Sequence, residues 1–263
     1  SQSFFTNEIA SIPEYQDQFG NGFDQAFGWF FSNWGPSFDR DGVAGWARQS
    51  AIDDQGTLEH PYSTASSATG IPQAFPEFAG ARYEWRPYDS VGEFFRPGNT
   101  KNTNVNVSGS SEDGNTAFNA NVGWFDDTGF TPGNSFQRLN VSLGGVAKLS
   151  NKFTIRGTMN YAKSDVRTPP IAASRGNGTD GLSIYGNVFF TPRSVDLMGL
   201  PFENPNTGES VYYRQNNSII NPRWTAANVT NRQITNRFFW NLSANYDLND
   251  NLTATWRTGL DFN

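Results

Sequence analysis

Between Lys101 and Lys163 the chain alternates apolar with small polar residues over four consecutive runs, TNVNVSGSSEDGN, TAFNANVGWFDDTG, FTPGNSFQRLNVSLGGVAKLSNK and FTIRGTMNYAKS. A period of two predicts half-buried strands. One side collects Val105 and Val107, then Phe118, Ala120, Val122 and Trp124, then Leu139, Val141, Leu143 and Ala147, then Phe153, Ile155, Met159 and Tyr161. The other collects Asn104, Asn106, Ser108, Asn119, Asn121, Asn140, Ser142, Arg156, Thr158 and Asn160. The joints Asp113-Gly114-Asn115 and Ser150-Asn151-Lys152 are tight and the one at Phe130 to Asn134 is slightly longer. Consecutive strands are therefore expected to pair as an antiparallel meander.

The alternation returns near the end. Phe238, Trp240, Leu242, Ala244 and Tyr246 oppose Arg237, Asn241, Ser243, Asn245 and Asp247, with Phe239 as the exception. After Asn249-Asp250-Asn251, Leu252, Ala254, Trp256, Leu260 and Phe262 alternate with Thr253, Thr255, Arg257 and Asp261. The stretches 7–99 and 166–231 lack such a pattern and are too long for simple loops. The first begins with a Phe, Trp and Gly-dense part, expected to pack on its own aromatics, and continues with a proline-rich part from Thr57 expected to be mostly irregular. Short helices are predicted at Ser90 to Phe95 and Val195 to Met198.

Connections thus run very long, tight, medium, tight, very long, tight, the alternation of an up-and-down outer-membrane barrel. Trp124, Phe125, Tyr161 and Phe262 near the long connections, with Phe153 and Tyr246 near the tight turns, form two expected aromatic girdles. The predicted fold class is all-β: a transmembrane antiparallel up-and-down β-barrel, as a fragment of about seven strands with long extracellular loops. Its segments are the end of a first barrel strand at 1–6, a long extracellular loop at 7–99, barrel strands and hairpins at 100–165, a second long extracellular loop at 166–231 and a barrel hairpin at 232–263. Mean hydropathy is -0.58, which agrees with a barrel because alternating strands average to polar values. The lipid-facing set is Val122, Trp124, Leu139, Val141, Leu143, Ile155, Met159, Trp240, Leu242 and Trp256. The lumen-facing set is Asn119, Asn121, Asn140, Arg156, Asn160, Arg237, Asn241 and Arg257.

PEYQDQFGNGF followed by SNWGPSFD, the run from YDSVGEFFRPGN through FTIRGTMNYAKS, and NPRWTAANVTNRQITNRFFWNLSANYDLNDNLTATWRTGLDF together resemble, in this order, the SusC/RagA-type TonB-dependent outer-membrane transporters of the Bacteroidetes. The resemblance implies active import of oligosaccharides or peptides. It also implies a SusD-like surface lipoprotein as partner and coupling to TonB through a plug that this segment lacks. A member of that family would have some twenty-two strands, so the segment corresponds to the first third of a barrel and is expected to be internal to a longer chain. The alternatives are a structural or scaffolding barrel of the same ancestry in a cell-surface complex and, from another class, a soluble β-sandwich adhesin.

Other features exclude more than they assign. A net charge of -6 with dispersed basic residues argues against nucleic acid, and the absence of cysteine removes disulfides and thiolate metal sites. Gly176 to Gly181 matches the dinucleotide fingerprint G-x-G-x-x-G without its strand and helix, and reads as a loop. Asp39-Arg40-Asp41-Gly42 opens like a calcium loop but lacks the distal Glu, and reads as a turn. The Asn-x-Ser/Thr triplets at Asn106, Asn140 and Asn251 arise from strand alternation rather than as glycosylation sites. His60 stands alone and no catalytic set is evident, so neither an enzyme nor a cofactor is expected. Within the cluster Phe27 to Trp46, the residues Trp29, Phe31, Trp34 and Trp46 are candidates to grip a partner, against the alternative of packing the loop core.

Overall fold

The computed structural model describes residues 1–65, 67–170, 183–214 and 219–263. It is mostly β, with 46% strand and 13% helix. In chain order come β1 (Gln2–Asn7), β2 (Gly22–Phe23), β3 (Ala26–Phe27), β4 (Thr57–Glu59), α1 (Ile71–Ala74), β5 (Arg82–Glu84) and α2 (Ser90–Phe94). There follow β6 (Gly98–Ser110), β7 (Thr116–Thr128), β8 (Ser135–Ser150), β9 (Phe153–Thr168), α3 (Ile184–Phe189), α4 (Pro222–Asn228), β10 (Asn231–Asn249) and β11 (Leu252–Phe262).

Seven strands form one antiparallel sheet in the order β1-β6-β7-β8-β9-β10-β11. It is a meander. Its register pairs like with like: Val122 lies opposite Val141, which lies opposite Tyr161, which lies opposite Phe238. One register therefore carries an apolar face across six strands, because residues directly opposite share a face. The sheet is open. β1 covers only Gly98 to Thr103 of β6, and no strand among the described residues lies beyond β11.

The hydrophobic core lies outside this sheet. Its buried aromatic, alanine, valine, leucine and isoleucine residues fall between Ala44 and Phe95 or between Ile184 and Tyr213, within the two long excursions, which interlock into one cap at the end of the sheet where the long connections emerge. The first excursion thus packs on the second as well as on its own aromatics. Short elements are set by local chemistry: Asp89 and Ser183 cap α2 and α3 by accepting the backbone N–H of Gly92 and Gly186, and Pro222 opens α4 after Asn221. The proline-rich part is more regular than expected, since β4 pairs with β5.

The helix expected at Val195 to Met198 is absent. Those residues form consecutive turns, with Val195 N–H on Pro192 O (3.0 Å) and Leu197 N–H on Val195 O (3.1 Å). Ser90 Oγ, more than a hundred residues away along the chain, also accepts Leu197 N–H (2.9 Å) and donates to Val195 O. These groups find their partners across the cap rather than along a helix. Gly176 to Gly181 lies outside the described residues. Asp39 to Gly42 is a turn, with Gly42 N–H on Asp39 O (3.2 Å) and Asp41 N–H on the Asp39 carboxylate (3.1 Å). No metal-holding cluster occurs among the described residues.

Candidate functional site

The sheet has two chemically distinct faces, and neither packs against the core. The apolar face forms a belt across the sheet, and eleven of its side chains stand open: Val105, Val107, Phe118, Val122, Trp124, Leu143, Met159, Tyr246, Trp256, Leu260 and Phe262, from 40% exposed at Met159 to 68% at Phe262. Half-exposed apolar side chains of this size sum to on the order of 800 Å², above the 300–600 Å² of a typical monomer's largest patch. Val122, Trp124, Leu139, Val141, Leu143, Ile155, Met159, Trp240, Leu242 and Trp256 all sit on this face.

Asn119, Asn121, Asn140, Arg156, Asn160, Arg237, Asn241 and Arg257 all sit on the other. They form a hydrogen-bonding surface: Asn241 Nδ2 donates to Thr158 Oγ1 (2.7 Å), Arg138 Nε to Asn140 Oδ1 (2.8 Å), and Arg237 grips Asp261 (3.0 and 2.6 Å). Arg156 and Arg257 flank Ser243 in one row. Phe239, the exception to the alternation, lies under the Arg237 guanidinium, 5.4 Å from its ring centre. Phe125 also belongs to this polar face, where its ring meets Phe136 at 5.7 Å. It therefore leaves the girdle expected beside Trp124, because neighbouring strand residues point opposite ways.

No protein-family model matches this chain, and no curated protein does.

The cap is built from contacts that its sequence does not advertise. Tyr83 Oη donates to Ser194 O (2.9 Å) and accepts Asp196 N–H (2.7 Å), Tyr62 Oη donates to Pro201 O (2.5 Å), and Tyr15 Oη donates to Phe189 O (3.2 Å). The Arg193 guanidinium joins Asp17 (2.5 Å) and lies 3.7 Å from Asp89, tying three segments together. Arg223 Nη1 donates to the carbonyls of Leu197, Met198 and Leu200 (3.1, 2.8 and 2.8 Å), and its burial lowers the guanidinium's affinity for a proton. Burial likewise pushes the Tyr62, Tyr83, Tyr212 and Tyr213 hydroxyls up, so they stay neutral donors.

His60 is a core residue. It stacks on Phe78 at 3.9 Å and its Nδ1 accepts the Tyr62 N–H (3.2 Å), and burial lowers its pKa to about 4. The four candidate contact aromatics separate. Trp46 is only 8% exposed and has little surface for a partner, whereas Trp29 is half-buried, packing edge-on to Phe27 and Tyr83 and lining an open cavity with Leu58 and Arg82. Phe31 (39%) and Trp34 (72%) face outward beside Phe23 and Phe190.

The cap is seated on the sheet through the β7–β8 connection. Arg96 N–H donates to Phe130 O (3.0 Å), Thr131 Oγ1 meets Tyr185 Oη (2.9 Å), and Phe95 packs on Phe130 and Tyr185. Gly133, at φ +83°, lies so close to Ala226 that a Cβ would stand 2.8 Å from its carbonyl oxygen. Glycine is required there on both counts.

Proposed function

We propose that this chain is a stretch of wall from an outer-membrane β-barrel, with the apolar face toward lipid, the amide and arginine face toward the lumen, and the cap outside the cell. The observation that carries the reading is the position of the core: the molecule packs its excursions tightly and leaves the apolar face of its largest sheet uncovered. In a water-soluble sandwich that face would meet a second layer. No helix of the described residues is long and apolar enough to cross a membrane, so the strands would do the crossing.

The belt has the right height. From Leu139 to Ala147, β8 rises about 27 Å, and a tilt of roughly 40° reduces this to about 21 Å, close to the apolar band of an outer-membrane barrel. The open edges of β11 and of β6 beyond Thr103 must then be paired by further strands of a longer protein. Within lipid each unmet backbone group costs several kcal/mol.

The resemblance to SusC/RagA-type transporters makes the activity TonB-dependent import of oligosaccharides or peptides, with a SusD-like surface lipoprotein over the cap. The test is uptake of labelled oligosaccharides and peptides, too large for porins, by intact cells. Uptake lost both on deletion of the gene and on inactivation of TonB supports the reading. Unchanged uptake with loss of a surface complex would instead identify a scaffolding barrel.

A further inference from the structure

The apolar face changes character at its cap side. Beyond Trp124 and Leu139 its rows hold Lys101, Lys163, Arg167 and Arg232 with two carboxylates, Asp126 and Asp165. Four cations less two anions leave +2, in a chain whose net charge is -6. Both carboxylates are already engaged. Arg232 clamps Asp165 through Nε (2.9 Å) and Nη2 (2.5 Å), Arg167 lies 3.8 Å from it, and Asp126 accepts from Gln137 Nε2 (3.0 Å).

Lys101 and Lys163 are both exposed and have no carboxylate within ion-pair distance among the described residues, and of the two Lys163 lines a cleft. Lys163 lies in register between Leu139 and Asn236, two residues or about 7 Å beyond the belt residue Tyr161. At this boundary lies the cleft, of about 190 Å³, with Trp124 and Leu139 as its apolar wall and Gln137, Arg138, Lys163 and Asp165 as its polar one.

On the reading that the belt faces lipid, we propose that this cleft seats an anionic phospholipid, its phosphate on Lys163 and an acyl chain along Leu139 and Trp124. Charge complementarity selects the headgroup. The unbroken passage from the cleft into the belt selects a lipid over free phosphate, which would meet one solvated lysine and leave the apolar wall unused. A lysine at the edge of an apolar belt extends its stem along that surface and its ammonium toward the headgroups. Near an anionic membrane surface each such cation adds about fivefold to affinity.

The test uses the complete barrel that contains this sheet, folded into phosphatidylcholine vesicles carrying brominated phosphatidylglycerol or, separately, brominated phosphatidylcholine, with tryptophan quenching as the readout. Trp124 lines the cleft, whereas Trp240 and Trp256 lie within the belt and report both lipids alike. The proposal predicts stronger quenching by the anionic lipid, a preference that weakens with salt, falls about fivefold in Lys163→Gln and is retained in Lys163→Arg. Lys148→Gln, on the opposite face, leaves it unchanged. Equal quenching by the two lipids, or an undiminished preference in Lys163→Gln, overturns the headgroup site while leaving the belt intact. Loss of the preference in inorganic phosphate, at an ionic strength where sodium chloride leaves it intact, would assign the site to free phosphate and overturn the lipid. Quenching by neither lipid overturns the belt reading itself.

Discussion

Replacing Leu143 by arginine places a charge at the centre of the apolar belt. Leu143 is the third of five belt positions on β8, after Leu139 and Val141 and before Gly145 and Ala147, and it lies in register between Ala120 and Met159. If the sheet is barrel wall as proposed, with about 21 Å of belt height after tilt, Leu143 stands roughly 10 Å from either boundary, beyond the reach of an arginine side chain seeking water. The expected cost is therefore near the full midplane value, about 2–4 kcal/mol. Leu139→Arg, at the rim beside Trp124 and Lys163, should cost about 0–1 kcal/mol. Ser142→Arg enters the polar face, opposite Asn121 and Asn160, and should cost as little. Urea titration of each variant folded in vesicles, followed by far-ultraviolet circular dichroism, gives the three values. Equal costs at Leu143 and Ser142, or no gradient from Leu139 to Leu143, would refute the assignment of faces.

Three further outcomes concern the cap, each read from denaturant midpoints by tryptophan fluorescence. Ser90→Ala removes the hydroxyl that serves Val195 O and Leu197 N–H; losing two buried hydrogen bonds and keeping only the contact between Leu197 N–H and Val195 O should cost about 1–2 kcal/mol, and no loss would show that the hydroxyl is dispensable. Acidification should weaken the cap, because burial lowers the His60 pKa from 6.5 to about 4 while the unfolded chain takes up its proton near 6.5. Stability present at neutral pH is lost as pH falls from about 6.5 toward 4, by at most ~3 kcal/mol; His60→Asn should flatten that slope, and an unchanged slope would locate the titration elsewhere. Gly35→Ala should cost at least ~2 kcal/mol, since its Cβ would stand 2.0 Å from the Asn21 carbonyl oxygen; a neutral result would show that the Asn21 turn yields.

The sheet was legible because its signal is local. In β7 every even residue from Phe118 to Trp124 is apolar or small and every odd one from Asn119 to Gly123 is an amide or glycine, so the pattern alone sets the faces. The tight turns at Gly114 and Asn151 then set the strand order. The cap was not legible because its organising contacts span more than a hundred residues, as between Ser90 and Val195, Tyr62 and Pro201, and Asp17 and Arg193. Composition could not separate Trp46, which is buried, from Trp34, which is not; that depends on which rings the second excursion covers. The charged band that follows the belt carried a readable signal, since the alternation on β9 passes from Met159 and Tyr161 to Lys163, Asp165 and Arg167 without changing period.

The most direct test of the two-faced wall is nitroxide scanning of β8. Spin labels at successive positions from Leu139 to Ala147, in the complete barrel that contains this sheet folded into vesicles, are read for collision with oxygen, which concentrates in lipid, and with a water-soluble nickel chelate. The account predicts two accessibility profiles of period two in opposite phase, with oxygen maxima at positions 139, 141 and 143 and chelate maxima at 140 and 142. Profiles in the same phase, or chelate access at every position, would contradict it.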